Sequence, residues 1–84
     1  MRLTNNKLSA RRIKAGYDTA LKAAQKVKCS RIYLLEIEEG LARPSDALAE
    51  RIAKLLGVTP ATVRKDNEAA RRDLLERQLQ QLRS

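Results

Sequence analysis

Nine of the first 31 residues are cationic: Arg2, Lys7, Arg11, Arg12, Lys14, Lys22, Lys26, Lys28 and Arg31. One acid, Asp18, stands among them. Residues 32–84 carry nine cations and nine carboxylates and are neutral as a set. The whole formal charge of +8 therefore falls in the first 31 residues. Ammonium and guanidinium groups at that density attract a polyanion and displace its counterions. A polyanion such as nucleic acid is the expected partner. The plainer reading is a solvated helix face that aids solubility.

Other chemistry is excluded by residue type. The 84 residues contain no histidine, which removes imidazole acid/base catalysis, catalytic triads and the usual zinc sites. No catalytic residues, metal ligands or cofactor are expected, and the chain reads as a binder rather than an enzyme. The single cysteine, Cys29, cannot form an intramolecular disulfide and suits a small core position at a turn. No stretch approaches the ~18 consecutive apolar residues of a membrane span. The start, MRLTNNKLS, lacks the apolar run of a secretory signal. A cytoplasmic chain away from membranes is expected. The length fits one domain with an appendage, and a core of that size is marginal unless association supports it.

The positioning elements are helices. Leucine (13) and alanine (12) dominate the apolar residues over valine (three) and isoleucine (four), which favours helix over strand. Gly16, Gly40, Pro44, Gly57 and Pro60 divide the chain. A first helix is expected over about 5–15, with Leu8, Arg12 and Ala15 on one face. A second spans about 19–27, capped by Asp18 or Thr19, with Ala20, Ala23, Ala24 and Val27 inward. A third spans about 31–39, capped by Ser30 and ended by Gly40. A fourth starts at Ser45, carries the stripe Leu48, Ile52, Leu55 and Leu56, and stops at Gly57. Thr59 and Pro60 open a fifth that runs unbroken to Ser84.

The second and third segments are joined by the short turn Lys28-Cys29-Ser30. Counting from Ala20, small Ala24 is fifth, and Val27, Cys29, Leu34 and Ile37 are eighth, tenth, fifteenth and eighteenth. Two short helices crossing steeply need a small residue at the crossing and apolar residues facing inward on both.

On these residues the chain resembles the phage repressor/Cro-type helix-turn-helix family, the XRE-like group. The carrying stretches are Ala23-Ala24, Ser30-Arg31, Ile37-Glu38-Glu39-Gly40, Arg43-Pro44-Ser45 and Ile52-Ala53-Lys54-Leu55-Leu56-Gly57-Val58. The resemblance covers roughly 7–64, and IEEGLARPS followed by IAKLLGV is its most specific part. It implies an all-α, five-helix, lambda-repressor-like domain over 1–64, with the second and third helices forming the DNA-reading unit. Residues 65–84 would be an extension of the last helix. The resemblance also implies a structural ion pair between Arg12 and Glu38. It places Ser30, Arg31, Ile32 and Tyr33 near the groove and Arg43 on a phosphate. Thr19 and Lys22 would contact the DNA backbone. Ile32 is suited to a thymine methyl, whereas Leu35 and Glu36 are poor groove residues, and Glu36 and Glu39 would repel phosphates unless Glu36 accepts from a cytosine amine.

Departures from the family pattern are Ala20 where a phosphate-touching Gln is common, Lys28 in place of the turn Gly, Leu41 where a Lys is common, and one extra residue after Gly16. Lys28 would adopt a left-handed conformation at a cost of ~1 kcal/mol. The outer face of the third helix is expected to hold Arg31, Ile32, Tyr33, Leu35, Glu36 and Glu39.

In the last segment Leu75, Leu79 and Leu82 are spaced four and three, with Leu74 in a neighbouring line. They are expected to dimerise the chain. The reading is thus a sequence-specific, repressor-like DNA-binding regulator acting as a homodimer. The alternative is a protein-interaction module of the antirepressor or antitoxin type that uses an Ile32/Tyr33/Leu35 face. Single-stranded RNA is disfavoured, since Phe and Trp are absent and only two Tyr are present for stacking.

Overall fold

A computed structural model describes residues 7–83, and every element in it is helical. The helices are α1 (Lys7–Lys14), α2 (Ala20–Val27), α3 (Arg31–Glu39), α4 (Asp46–Leu56) and α5 (Pro60–Arg83). The protein is all-α, as expected. The anticipated helix start at residue 5, Arg2, and the end at Ser84 lie outside the described residues.

Short polar side chains set the helix starts. Thr19, rather than Asp18, caps α2 by accepting from the Lys22 N–H at 3.3 Å. Ser30 caps α3 through the Tyr33 N–H (3.0 Å), and Ser45 caps α4 through the Leu48 N–H (3.2 Å). Thr59 accepts from the Thr62 N–H at 3.2 Å at the head of α5. Each bond satisfies an amide that the first helical turn would otherwise leave open.

α5 is the backstop. It packs against α1, α3 and α4, while α2 packs against α3 and α4. Ala20, Ala23, Ala24 and Val27 of α2 are buried, and their small size lets α3 approach closely. Leu34 and Ile37 of α3 meet them, with Leu8, Leu48, Ala49, Ile52, Ala53 and Val63 closing the core. Leu55 and Leu56 pack at its margin. Ala15 departs from expectation: it lies beyond the end of α1 and is exposed.

Arg12 and Glu38 form the expected pair inside this core. The Arg12 Nε donates to Glu38 Oε2 at 2.8 Å, and its Nη1 donates to the Tyr17 carbonyl at 2.9 Å. Its Nη2 reaches Ser9 Oγ at 3.2 Å. Burial pushes the Glu38 carboxyl above its ordinary value, and the Arg12 guanidinium draws it back down.

Two more contacts fix α3 against α5. Buried Asn67 donates from Nδ2 to the carbonyls of Ile37 (2.7 Å) and Ala42 (2.9 Å). Gly40 ends α3 at φ +86, where its missing side chain admits α5: a Cβ there would lie 2.6 Å from Arg71 Cα.

Three stability outcomes follow. Arg12→Ala leaves an unpaired buried carboxylate and should cost about 3–5 kcal/mol at pH 7 by urea unfolding. A carboxyl whose folded pKa lies above its unfolded one stabilises the fold below the unfolded value and loses that contribution as pH rises through the folded value. Removing Arg12 widens this gap, so the deficit should narrow as pH falls towards the ordinary value of 4.5. A deficit that grows on acidification would contradict the buried pairing. Gly40→Ala should be strongly destabilising in the same assay, since both the backbone angle and the α5 contact oppose it. Lys28 is left-handed at φ 61, so Lys28→Gly should raise stability by about 1 kcal/mol in a thermal melt.

Candidate nucleic-acid interface

α2, the turn at 28–30 and α3 form a helix-turn-helix. Its turn is tight because Lys28 takes the left-handed conformation and donates its N–H to the Ala24 carbonyl. The Cys29 N–H follows to the same carbonyl at 3.0 Å. Arg51 of α4 donates to the Val27 carbonyl at 2.9 Å, satisfying another acceptor at the end of α2. Cys29 is half-buried against the core, and its thiol donates to the Ser30 carbonyl at 3.4 Å. Burial pushes that thiol's pKa up, and the nearby Arg51 guanidinium opposes the rise.

The first turn of α3 is the outward part of the unit. Arg31 is exposed, and Ile32 is 63% exposed. Both follow Ser30, so they stand at the positive end of the α3 dipole, where an anion is favoured. Lys26 and Lys28 are exposed nearby in sequence on α2 and the turn. Lys26, Lys28 and Arg31 have no carboxylate partner among the described residues.

The other expected contact residues are already engaged within the domain. Thr19 and Ser30 accept amide hydrogen bonds as caps, and each hydroxyl keeps its own proton to donate. Lys22 pairs with Asp18 at 3.3 Å, both exposed. Arg43 pairs with Glu68, Nε to Oε2 at 3.6 Å, again at the surface. Such exposed pairs contribute ~0.2–1 kcal/mol, so a phosphate could displace either carboxylate.

Tyr33 differs from the expectation. It is half-buried, and its hydroxyl donates to the Arg43 carbonyl at 3.1 Å, fastening the 41–45 loop to α3. Leu35 is also half-buried against the core. The expected continuous apolar face of Ile32, Tyr33 and Leu35 therefore reduces to Ile32. The helical turn rotates the other two partly inward. Glu36 is half-buried and Glu39 exposed, so positive charge lies at one end of α3 and negative charge at the other.

Of the expected association residues, Leu74 is turned partly into its own domain, whereas Leu75, Leu79 and Leu82 are exposed. Leu74 continues the stripe of Val63, Asn67 and Ala70 at helical spacing, which explains its orientation.

Sequence reasoning missed the polar groups that hold the unit in place. Asp66 is buried and accepts from Arg11 Nε at 2.6 Å, tying α5 to α1. Asn67 holds the end of α3, and Arg71 Nη1 reaches the Gly40 carbonyl at 3.5 Å. Arg64 pairs with Asp46, joining α5 to the head of α4. The available signal was the interruption of the Val63–Ala70–Leu74 stripe by two short polar residues. Short polar side chains on an inward helical face imply partners within the core.

No curated protein matches the chain, and neither does any solved structure. A protein family does match, over residues 6–65, a span that contains α1 to α4 and the head of α5. The chain belongs to that family, the helix-turn-helix domain family.

Proposed function

We propose that the protein is a sequence-specific, double-stranded-DNA-binding transcription regulator of the phage repressor/Cro (XRE-like, lambda-repressor-like) kind. In this reading it acts as a repressor-like homodimer in the cytoplasm. The observation that carries the proposal is the open charge of Lys26, Lys28 and Arg31 around the exposed start of α3. A helix-turn-helix presents this end of its second helix to base edges in the major groove.

The roles divide by chemistry. Arg31 donates to a guanine edge or to an adjacent phosphate, and Ile32 packs on a thymine methyl. Lys26 and Lys28 neutralise phosphates. Thr19 and Ser30 donate their hydroxyl protons to the backbone. Lys22 and Arg43 exchange Asp18 and Glu68 for phosphate oxygens as the duplex approaches. Glu39, at the far end of α3, restricts how deeply the helix lies in the groove. Residues 1–64 carry the reading, and residues 65–84 carry the pairing of subunits.

Selection from random duplexes should enrich a palindrome, and gel shifts on it test the roles. Binding should weaken steeply with salt, by a slope of about −0.9 per phosphate neutralised. Arg31→Ala should cost about 1–3 kcal/mol on the selected site. Lys28→Ala should weaken binding evenly across sequences and reduce the salt slope by about 1. Replacing the contacted thymine by deoxyuridine should weaken wild type and leave Ile32→Ala unaffected. Unchanged affinity in Arg31→Ala would remove α3 from the interface, and a salt-independent complex would remove the phosphate contacts.

A further inference from the structure

The residues from Leu75 to Arg83 are all exposed. Three are leucines: Leu75 at 49%, Leu79 at 56% and Leu82 at 83% exposure. This part of α5 has left the domain behind. A stretch so much shorter than the ~12–15 residues needed for a marginal isolated helix draws little stability from itself in water. Leu75, Leu79 and Leu82 are four and three apart, and Arg72 precedes Leu75 by three. The four side chains fall on one seam at alternating a and d positions. That seam lies on a different side of α5 from the Val63–Asn67–Ala70–Leu74 stripe, so packing on the domain leaves it uncovered. A shallow groove lined by Arg72, Leu75, Glu76 and Leu79 runs beside it.

We infer that this seam pairs with the same seam of a second copy as a short, parallel, two-stranded coiled coil. The inference deepens the homodimer part of the proposed function by naming its surface and direction. Charge selects both the occupant and the direction. Arg71 flanks the seam at a g position and Glu76 flanks it at the following e position. In a parallel pair, g of one helix faces that e of the other. Arg71 then meets Glu76 of the partner subunit, and two-fold symmetry repeats the contact. An antiparallel pair that stacks Leu75 on Leu79 instead sets the two Glu76 carboxylates side by side. Arg71 spends one nitrogen on the Gly40 carbonyl and has further N–H groups to offer. Arg72 occupies an a position, where a polar residue favours one register at some cost in stability.

Sedimentation velocity of the full chain without DNA tests the pairing separately from DNA binding. A concentration-dependent dimer is expected. Leu75→Ser/Leu79→Ser should be monomeric while keeping the wild-type thermal melt of the domain at low concentration. Arg71→Glu and Glu76→Arg should each weaken association by several-fold, and an equimolar mixture should restore it. For direction, Leu82→Cys in a Cys29→Ser chain should oxidise to a disulfide-linked dimer. A wild-type chain that stays monomeric at all concentrations overturns the inference, as does a dimer unaffected by the double serine variant. Cross-linking that requires Arg72→Cys on one copy and Leu82→Cys on the other overturns the parallel direction. A dimer that does not bind DNA would defeat the proposed function and leave this pairing intact.

Discussion

The position of α3 depends on a single buried ion pair. Arg12 and Glu38 lie 26 residues apart in sequence and meet where α1, α3 and the 15–19 connection converge. Neither charge is tolerable there alone, because removing one partner leaves the other unpaired in a low-dielectric core. The pair therefore acts as a registration device. α3 can rotate or slide only by breaking it, and the same constraint decides which side chains of α3 face outward. Glu38 inward turns Leu34 and Ile37 into the core and leaves Ile32 outward, while Arg31, two turns before Glu38 on the same side, is exposed because it opens the helix.

Around this pin the domain separates its stabilising and contacting surfaces. The small residues of α2 allow a close crossing, and the left-handed cap at Lys28 and the cap at Ser30 fix the two ends of the turn. The buried polar groups are used up internally: no buried side-chain donor or acceptor lacks a partner among the described residues. Lys26, Lys28 and Arg31, at the turn and the start of α3, are among the cations that have no carboxylate partner among the described residues.

Much of the architecture was legible because local signals agreed with one another. The cap residues, the breakers at Gly40 and Gly57 and the Thr59-Pro60 start marked the helices, and periodicity found Ala20, Ala23, Ala24 and Val27. The Arg12–Glu38 pair was legible only through the family resemblance, since nothing in their spacing brings them together. Tyr33 and Leu35 were placed outward because a nine-residue helix leaves little periodicity to divide its faces. Leu74 was already legible as a line apart from Leu75, about 100° away on the helix, and that line is the one that continues Val63 and Ala70. Asp66, Asn67 and Arg71 were missed because their partners are in α1 or are backbone carbonyls at the end of α3. Side-chain-to-carbonyl contacts across 25 to 31 residues leave no pattern in the chain.

The contact at Gly40 has a mechanical consequence. With no side chain between them, the end of α3 and the middle of α5 lie backbone to backbone, and Asn67 fastens the two at a pair of carbonyls. The two helices must therefore turn as one rigid body. A tilt imposed on α5 at Asn67–Arg71 is carried to α3 through these contacts, like the motion of a key from its bow to its bit. In the proposed dimer, the angle at which two copies are held together would set the distance and phase between their two α3 helices.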